Sequence, residues 1–297
     1  MTVRSPNRTN ATEGRYVPRI TALPGNVSTV VDIDAAIGYV VAHGDPVERA
    51  RLSYLRTGQP ASPEIIDRIS GGQMAEGGWP ASADGQVPSV DATCFRLGEL
   101  DDLGGLQAGP VAERALQWLA GSQRADGTWQ EHESLAGEAP AWALPGDPEA
   151  TLYLTSVAGF WLTAAAVESD AYQTRGRYTD VLARAAGFVV SQLRPDGSWP
   201  SFLAAGWHTA GLLHQQQYFY ESSRVQLVLG ERLPNMSPAD VAAMASALRR
   251  VNLGDDWLLR NARKRLGETQ RTDGGWDSNE GPVFDVNVTL TALRACR

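Results

Sequence analysis

One seven-residue pattern occurs four times and sharply limits what this chain can fold into. The copies read Gln73-Met-Ala-Glu-Gly-Gly-Trp79, Gln123-Arg-Ala-Asp-Gly-Thr-Trp129, Leu193-Arg-Pro-Asp-Gly-Ser-Trp199 and Gln270-Arg-Thr-Asp-Gly-Gly-Trp276. Three place glutamine six residues before tryptophan; the third has Leu193 there, with Gln192 one step earlier. Every copy has glycine two residues before the tryptophan. Self-similarity at long spacing marks a repeat architecture, in which each unit hides its apolar face only by stacking on its neighbours.

The flanks repeat as well. Helix-like stretches precede the four copies, at Pro63–Ser70, Val111–Gly121, Thr179–Gln192 and Asp255–Thr269. In the second stretch Val111, Ala115, Trp118 and Leu119 recur at helical spacing on one face. After each copy a loop leads to a second apolar helix opened by threonine. The openings are Val90-Asp-Ala-Thr93, Pro148-Glu-Ala-Thr151, Gly206-Trp-His-Thr209 and Val286-Asn-Val-Thr289. Aspartate and threonine suit turns and helix starts, and the motif glycine suits a left-handed helix C-cap. Two further hairpins read without the motif, Asp32–His43 with Pro46–Arg56 and Gln215–Gly230 with Pro238–Val251. The prediction is an all-α fold of six helical hairpins. The second helix of each, the more apolar, should sit inside and the first outside. Residues 1–30 read as a flexible N-terminal lead-in and 31–297 as one domain.

Composition narrows the function classes. Of 297 residues 43% are hydrophobic, enough for a large core, and the net charge of −8 argues against nucleic acid, which wants a basic face. Two cysteines, Cys94 and Cys296, make neither a disulfide framework nor a thiolate zinc cage, so the expected compartment is a reducing cytoplasm. The lead-in lacks the apolar run of a secretory signal. Ala150 to Val167 carries no charge but holds three threonines and a serine, and it falls short of the ~20 apolar residues of a spanning helix. A helix apolar on every side is also what a fully buried helix looks like, and that reading predicts no transmembrane segment.

With these repeats the chain resembles the terpenoid cyclase and prenyltransferase superfamily, whose QW motif is Gln-x-x-Asp-Gly-x-Trp followed by helices. The resemblance covers roughly Asp32 to Arg297 and implies a single α/α barrel of six hairpins around an apolar cavity. Squalene–hopene cyclases carry two such barrels, and this chain has room for one. Trp79, Trp129, Trp199 and Trp276 read as structural, because four copies at one position are not what a single substrate would need.

The informative positions are the starts of the inner helices, where the repeats differ. Class II cyclases of this superfamily place an Asp-x-Asp-Asp-Thr motif at such a site, and its middle aspartate protonates the terminal alkene. Aligned on threonine, Ser89-Val-Asp91-Ala-Thr93 keeps that aspartate as Asp91. Oxidosqualene cyclases also keep only this aspartate and open an epoxide. A supporting Asp-Val-Thr-Ala-His constellation of hopene-type cyclases aligns on Glu149-Ala-Thr151-Leu-Tyr153, with Glu149 and Tyr153 in the aspartate and histidine places.

The resemblance therefore implies a class II-type terpene or meroterpenoid cyclase with Asp91 as general acid, tuned by Glu149 and Tyr153. Such an acid must be buried, since an exposed aspartate is ionised at neutral pH. Cation stabilisation asks for π faces, and Phe95, Trp142, Trp161, Trp207, His208, Phe219 and Phe284 are the substrate-binding candidates. The alternatives are a prenyl-diphosphate-dependent cyclase or prenyltransferase, and a non-catalytic isoprenoid-binding barrel. No metal site is expected: Cys94, His208 and His214 do not reproduce the superfamily's zinc pattern, and Glu99-Leu-Asp101-Asp102 reads as a solvated helix end. No cofactor is expected either, Mg2+ entering only if the substrate is a diphosphate. The expected partner is a hydrophobic isoprenoid, with peripheral membrane contact and no assigned oligomeric state.

Overall fold

The computed structural model describes residues 30–107, 109–168, 176, 178–253 and 257–297. The expected lead-in, apart from Val30, lies outside the described residues, as does Asp255 at the expected start of one helix. Twelve α-helices run in order among the described residues: α1 Ile33–His43, α2 Pro46–Thr57, α3 Pro63–Ser70, α4 Val90–Asp102, α5 Pro110–Gly121 and α6 Pro148–Glu168. The chain continues with α7 Thr179–Gln192, α8 Leu203–Gln215, α9 Phe219–Arg232, α10 Pro238–Arg250, α11 Trp257–Thr269 and α12 Asp285–Cys296. One two-residue β pair joins Trp79–Pro80 to Pro88–Ser89.

The even-numbered helices form a closed inner ring: each of α2, α4, α6, α8, α10 and α12 touches the next, and α12 returns to α2. The odd-numbered helices lie outside, as α5 does on α4 and α6, α7 on α6 and α8, and α1 on α12 and α2. This is an α/α barrel, and all six expected hairpins are present. Helix α6 is long and apolar enough over Pro148–Val167 to cross a bilayer, but 83% of that stretch is buried within the barrel wall.

One inner helix departs from expectation. The sequence of α2 is more polar than that of α1, and Leu52 is its buried residue. It can stand in the ring because its inward side, Val47, Glu48 and Arg51, meets a cavity instead of packed side chains.

The four tryptophan turns explain how the seams hold. In each, the backbone N–H at the second motif position donates to a carbonyl four residues on: Met74 to Gly78, Arg124 to Thr128, Arg194 to Ser198 and Arg271 to Gly275, all at 2.9 Å. The motif glycine is not a helix C-cap as expected but sits inside this turn, with φ of +111° at Gly77 and +86° at Gly127. A Cβ at Gly127 would also stand 2.7 Å from the Arg184 carbonyl oxygen, so the glycine is held by conformation and by the next outer helix together.

The glutamines staple neighbouring units. Gln73 Nε2 donates to the Gly77 and Val111 carbonyls, Gln123 Nε2 to those of Gly127 and Val181, and Gln270 Nε2 to those of Gly274 and Asp32. The last of these closes the barrel, joining its final repeat to its first helix. The indole N–H of Trp129 and of Trp276 caps an outer-helix carbonyl, Leu119 at 2.7 Å and Leu266 at 2.9 Å.

Ion pairs form the floor. Asp101 and Asp102, at the end of α4, meet Arg250 and Arg294, and Arg51 adds a further bond to Asp102. Burial alone would raise the Asp102 pKa, but Arg51, Arg294 and Arg250 hold it well below the ordinary carboxylate value. The expectation of a solvated helix end is therefore corrected. The α4 terminus projects inward, and a buried carboxylate there is stable only when paired.

Candidate active site

Inside the ring lies a cavity of about 1070 Å³, running from the mouth at the inner-helix N-termini to the arginine-bound floor. One wall is aromatic: Tyr153, Phe160, Trp161, Trp207 and His208 come from α6 and α8. The opposite wall is polar, with Glu48 and Arg51 from α2 and Asn287 and Thr291 from α12. Arg51 donates to Asn287 Oδ1 at 2.7 Å across that wall.

Register decides which side chains look inward. The tryptophan N–H of three turns donates to a threonine hydroxyl on the inner helix: Trp79 to Thr93 at 3.0 Å, Trp129 to Thr155 at 3.1 Å and Trp276 to Thr289 at 3.3 Å. The second repeat is therefore anchored by Thr155, one helical turn beyond Thr151, where the sequence alignment had set it. Two residues before each anchor stand Asp91, Tyr153 and Asn287, and Trp207 stands two before Thr209 in the third repeat. All four line the cavity.

This register corrects the expected role of Glu149. Helix α6 starts seven residues before Thr155, whereas α4 starts three before Thr93 and α12 four before Thr289, so Glu149 is exposed above the ring and does not line the cavity. Its backbone carbonyl accepts from Ser201 Oγ at 2.6 Å. Phe219 is the other misplaced candidate. It opens the outer helix α9, is 55% exposed, and lies against the His214 ring at 5.2 Å. A first-turn residue of an outer helix lies at the end of the barrel opposite the mouth. Phe95, Trp142, Trp161, Trp207, His208 and Phe284 all line the cavity as expected.

Asp91 is half-buried in the first turn of α4, and its carboxyl is held from the mouth. Trp142 Nε1 donates to Oδ2 at 3.0 Å, and the Tyr153 hydroxyl lies 3.4 Å from Oδ1. Burial pushes the Asp91 pKa up, against the pull of these two bonds, which favour the anion. Burial also lifts Tyr153 well above its ordinary value, so its hydroxyl keeps its proton.

The residue that sequence reasoning missed is Glu131. Its buried carboxyl accepts from Ser89 Oγ at 2.8 Å, Val90 N at 3.0 Å and Asp91 N at 2.8 Å. A glutamate from a loop thus caps the helix that presents Asp91, satisfying N–H groups that a helix start leaves orphaned. Burial raises its pKa, its backbone bonds oppose the rise, and the charge of Asp91 adds to it. A signal was present: two residues past the motif tryptophan the other repeats have Ala81, Ser201 and Ser278, and only this one has a carboxylate.

Two parts of a proton-donor site are therefore in place: a carboxyl in an apolar surround and hydrogen bonds that orient it. The indole N–H can only donate, so a neutral Asp91 keeps a lone pair on Oδ2 for Trp142. Its proton then sits on Oδ1, beside a hydroxyl able to donate or accept.

This fold is that of type II terpene cyclases. The cyclase MstE from Scytonema in its apo form aligns with TM-score 0.55 and 13% identity, over 89% of this chain and 96% of that one. An arginine-to-alanine variant of MstE in complex with its substrate geranylgeranyl dihydroxybenzoate aligns with TM-score 0.51 and 16% identity, over 89% of this chain and 86% of that one. An aspartate-to-asparagine variant with the same substrate gives TM-score 0.51 and 14% identity, over 89% and 85%. No family model and no curated protein matches the sequence.

Proposed function

We propose that the protein is a class II-type cyclase that starts ring closure of a prenyl chain by protonating it from Asp91. The observation carrying this is the Asp91 carboxyl, turned to an aromatic cavity, oriented by Trp142 and Tyr153, and raised in pKa by burial. The proton passes from Oδ1 to a terminal alkene or epoxide, and the cation that forms faces the rings of Tyr153, Phe160, Trp161 and Trp207. Ring faces stabilise a desolvated cation by about 2 kcal/mol or more, and excluding water delays its capture. Glu131 and Ser89 fix the helix start on which the acid stands.

MstE is solved with geranylgeranyl dihydroxybenzoate, a prenylated aromatic acid, as its substrate, and a cavity with one aromatic and one polar wall suits a substrate of that kind, an isoprenoid chain carrying a polar head. Its volume is at the upper end of the ~300–1,000 Å³ of small-molecule sites, which favours a cyclase over a filled, non-catalytic barrel. The acidic run that a diphosphate–magnesium site would need is engaged otherwise: Glu99 with Arg96, and Asp101 and Asp102 with the floor arginines. Protonation asks for no cofactor beyond the carboxyl. The same reading puts the protein in the cytoplasm, in peripheral contact with the membrane that dissolves so apolar a substrate.

The test is product formation from geranylgeranyl dihydroxybenzoate, its farnesyl analogue and their terminal epoxides, by the wild-type chain and by Asp91→Asn. Cyclic product from the wild type alone is the expected result. Equal turnover by the variant would remove Asp91 from the mechanism.

A further inference from the structure

A cyclisation carries positive charge away from the carbon that took the proton, so the group that ends the reaction must stand elsewhere in the cavity than Asp91. Among the cavity-lining residues His208 has the features of such a group. Its ring lies 4.9 Å from that of Phe160, 6.0 Å from Trp207 and 6.3 Å from Tyr153, within the wall that would hold the cation. Nδ1 is buried with no hydrogen-bond partner among the described residues, and the His208 ring is tilted against that of Phe160. The ring nitrogen left for the cavity is Nε2.

Building on the cyclase reading, we propose that His208 is the terminating base, so that the enzyme releases an alkene. The C–H bond beside the last cationic carbon breaks, its electron pair becomes the new π bond, and the proton goes to Nε2. Burial, with the charge of Arg250 added, pushes the His208 pKa down to about 3, so the imidazole enters each turnover neutral and with a free lone pair. A carbocation is acidic enough to protonate even so weak a base. The depressed pKa also disposes of the proton afterwards. Burial raises the Asp91 pKa and lowers that of His208, two shifts that both favour return of the proton to the spent carboxylate. Tyr153 stands beside both, its hydroxyl 3.4 Å from Asp91 Oδ1 and its ring against that of His208.

The experiment compares wild type, His208→Gln and His208→Phe on geranylgeranyl dihydroxybenzoate, its farnesyl analogue and their terminal epoxides, with products resolved by mass spectrometry and NMR. The phenylalanine variant keeps the ring packing, so a folding defect in one variant leaves the other. Because His208 also lines the cavity, its replacement is expected to slow substrate consumption, so the readout is the product distribution per substrate consumed. The fraction of the wild-type alkene should fall about tenfold or more, replaced by alkene isomers and water-capture alcohols. An unchanged alkene from either folded variant overturns the base, as does a wild-type product that is already an alcohol. Lost consumption in both folded variants overturns it too, by putting His208 in initiation. A wild-type chain that converts none of the probes fails at the cyclase reading itself, a result distinct from a working cyclase whose alkene ignores position 208.

Discussion

The tryptophan turns and the inner-helix starts are both sampled four times by the same repeats, and they have diverged to opposite degrees. The turns keep one backbone hydrogen bond at 2.9 Å in every copy and a glycine at positive φ in every copy. The cavity-facing positions two residues before Thr93, Thr155, Thr209 and Thr289 read Asp91, Tyr153, Trp207 and Asn287, a carboxylate, two different aromatics and an amide. Where a residue only holds neighbouring units together, each seam asks for the same geometry. Where it faces a single ligand, each repeat meets a different part of that ligand. Within one chain, repetition marks support and divergence marks chemistry.

The sharpest way to break that division is to change one residue of each kind. Asp91→Asn should cost about 10²–10⁴ in turnover, the usual contribution of a general acid, and should not weaken the fold. The sign of its stability effect follows from the raised pKa. The folded state disfavours ionised Asp91 more than the unfolded chain does, so stability falls as pH rises through the raised value. An uncharged asparagine escapes that loss: thermal melts should put the variant above wild type at neutral pH and level with it below pH ~4. Trp129→Ala is the opposite case, deleting a fully buried indole and its bond to Leu119. It should lower stability by about 3–5 kcal/mol in urea titrations, with the activity of the remaining folded protein close to normal. A Trp129 variant that melts like wild type would end the claim that these turns carry the barrel.

Trp142→Phe gives a smaller and directional effect. The indole N–H stabilises the anion of Asp91, so its loss raises the acid's pKa further. Activity depends on the protonated carboxyl and declines as pH rises through that pKa. The descending limb of the pH–rate profile should therefore shift to higher pH in the variant, while the plateau rate drops because the carboxyl is less well oriented. A shift to lower pH would mean that Trp142 acts on something other than the Asp91 anion.

The barrel was legible because it is written repeatedly: the spacing of glycine and tryptophan, then threonine, located four hairpins, and two unmarked ones completed the six. Asp91 was legible from its place two residues before Thr93, whereas Tyr153 was reached from Thr151 and faces the cavity because it stands two before Thr155. What failed was register within α6. Thr151 and Thr155 are both plausible anchors in sequence, and only the bond from Trp129 N to Thr155 Oγ1 distinguishes them. Reading from Thr151 promoted Glu149, which the longer helix lifts out of the cavity. Glu131 was hidden for another reason. It reaches Asp91 from 40 residues away through backbone N–H groups, which have no letter in the sequence. The charge run at Asp101 and Asp102 misled in the same way, because Arg250 lies 149 residues from Asp101.

The smallest expected effect comes from within the belt itself, where the third turn lacks the staple. Leu193 replaces glutamine there, and Trp199 Nε1 turns to the Phe202 carbonyl at 2.9 Å while the Arg232 guanidinium covers its ring at 4.5 Å. The seam from α7 to α9 is thus held by stacking where three others use an amide. Gln270→Leu would impose that arrangement on the seam that closes the barrel, removing donation to the Gly274 and Asp32 carbonyls and acceptance from Asp32 N–H. Among the described residues no arginine is stacked on Trp276 in compensation; the nearby Arg271 lies over Tyr39 and binds Asp273, Asp277 and Asp285. Net worth per hydrogen bond is about 1 kcal/mol, and these are partly exposed, so the variant should lose about 1–2 kcal/mol in denaturant titrations. Hydrogen exchange should place the loss in α1 and α11, the helices beside that seam. A uniform loss across all six hairpins would mean that the ring opens as one cooperative unit and that no single staple governs its closure.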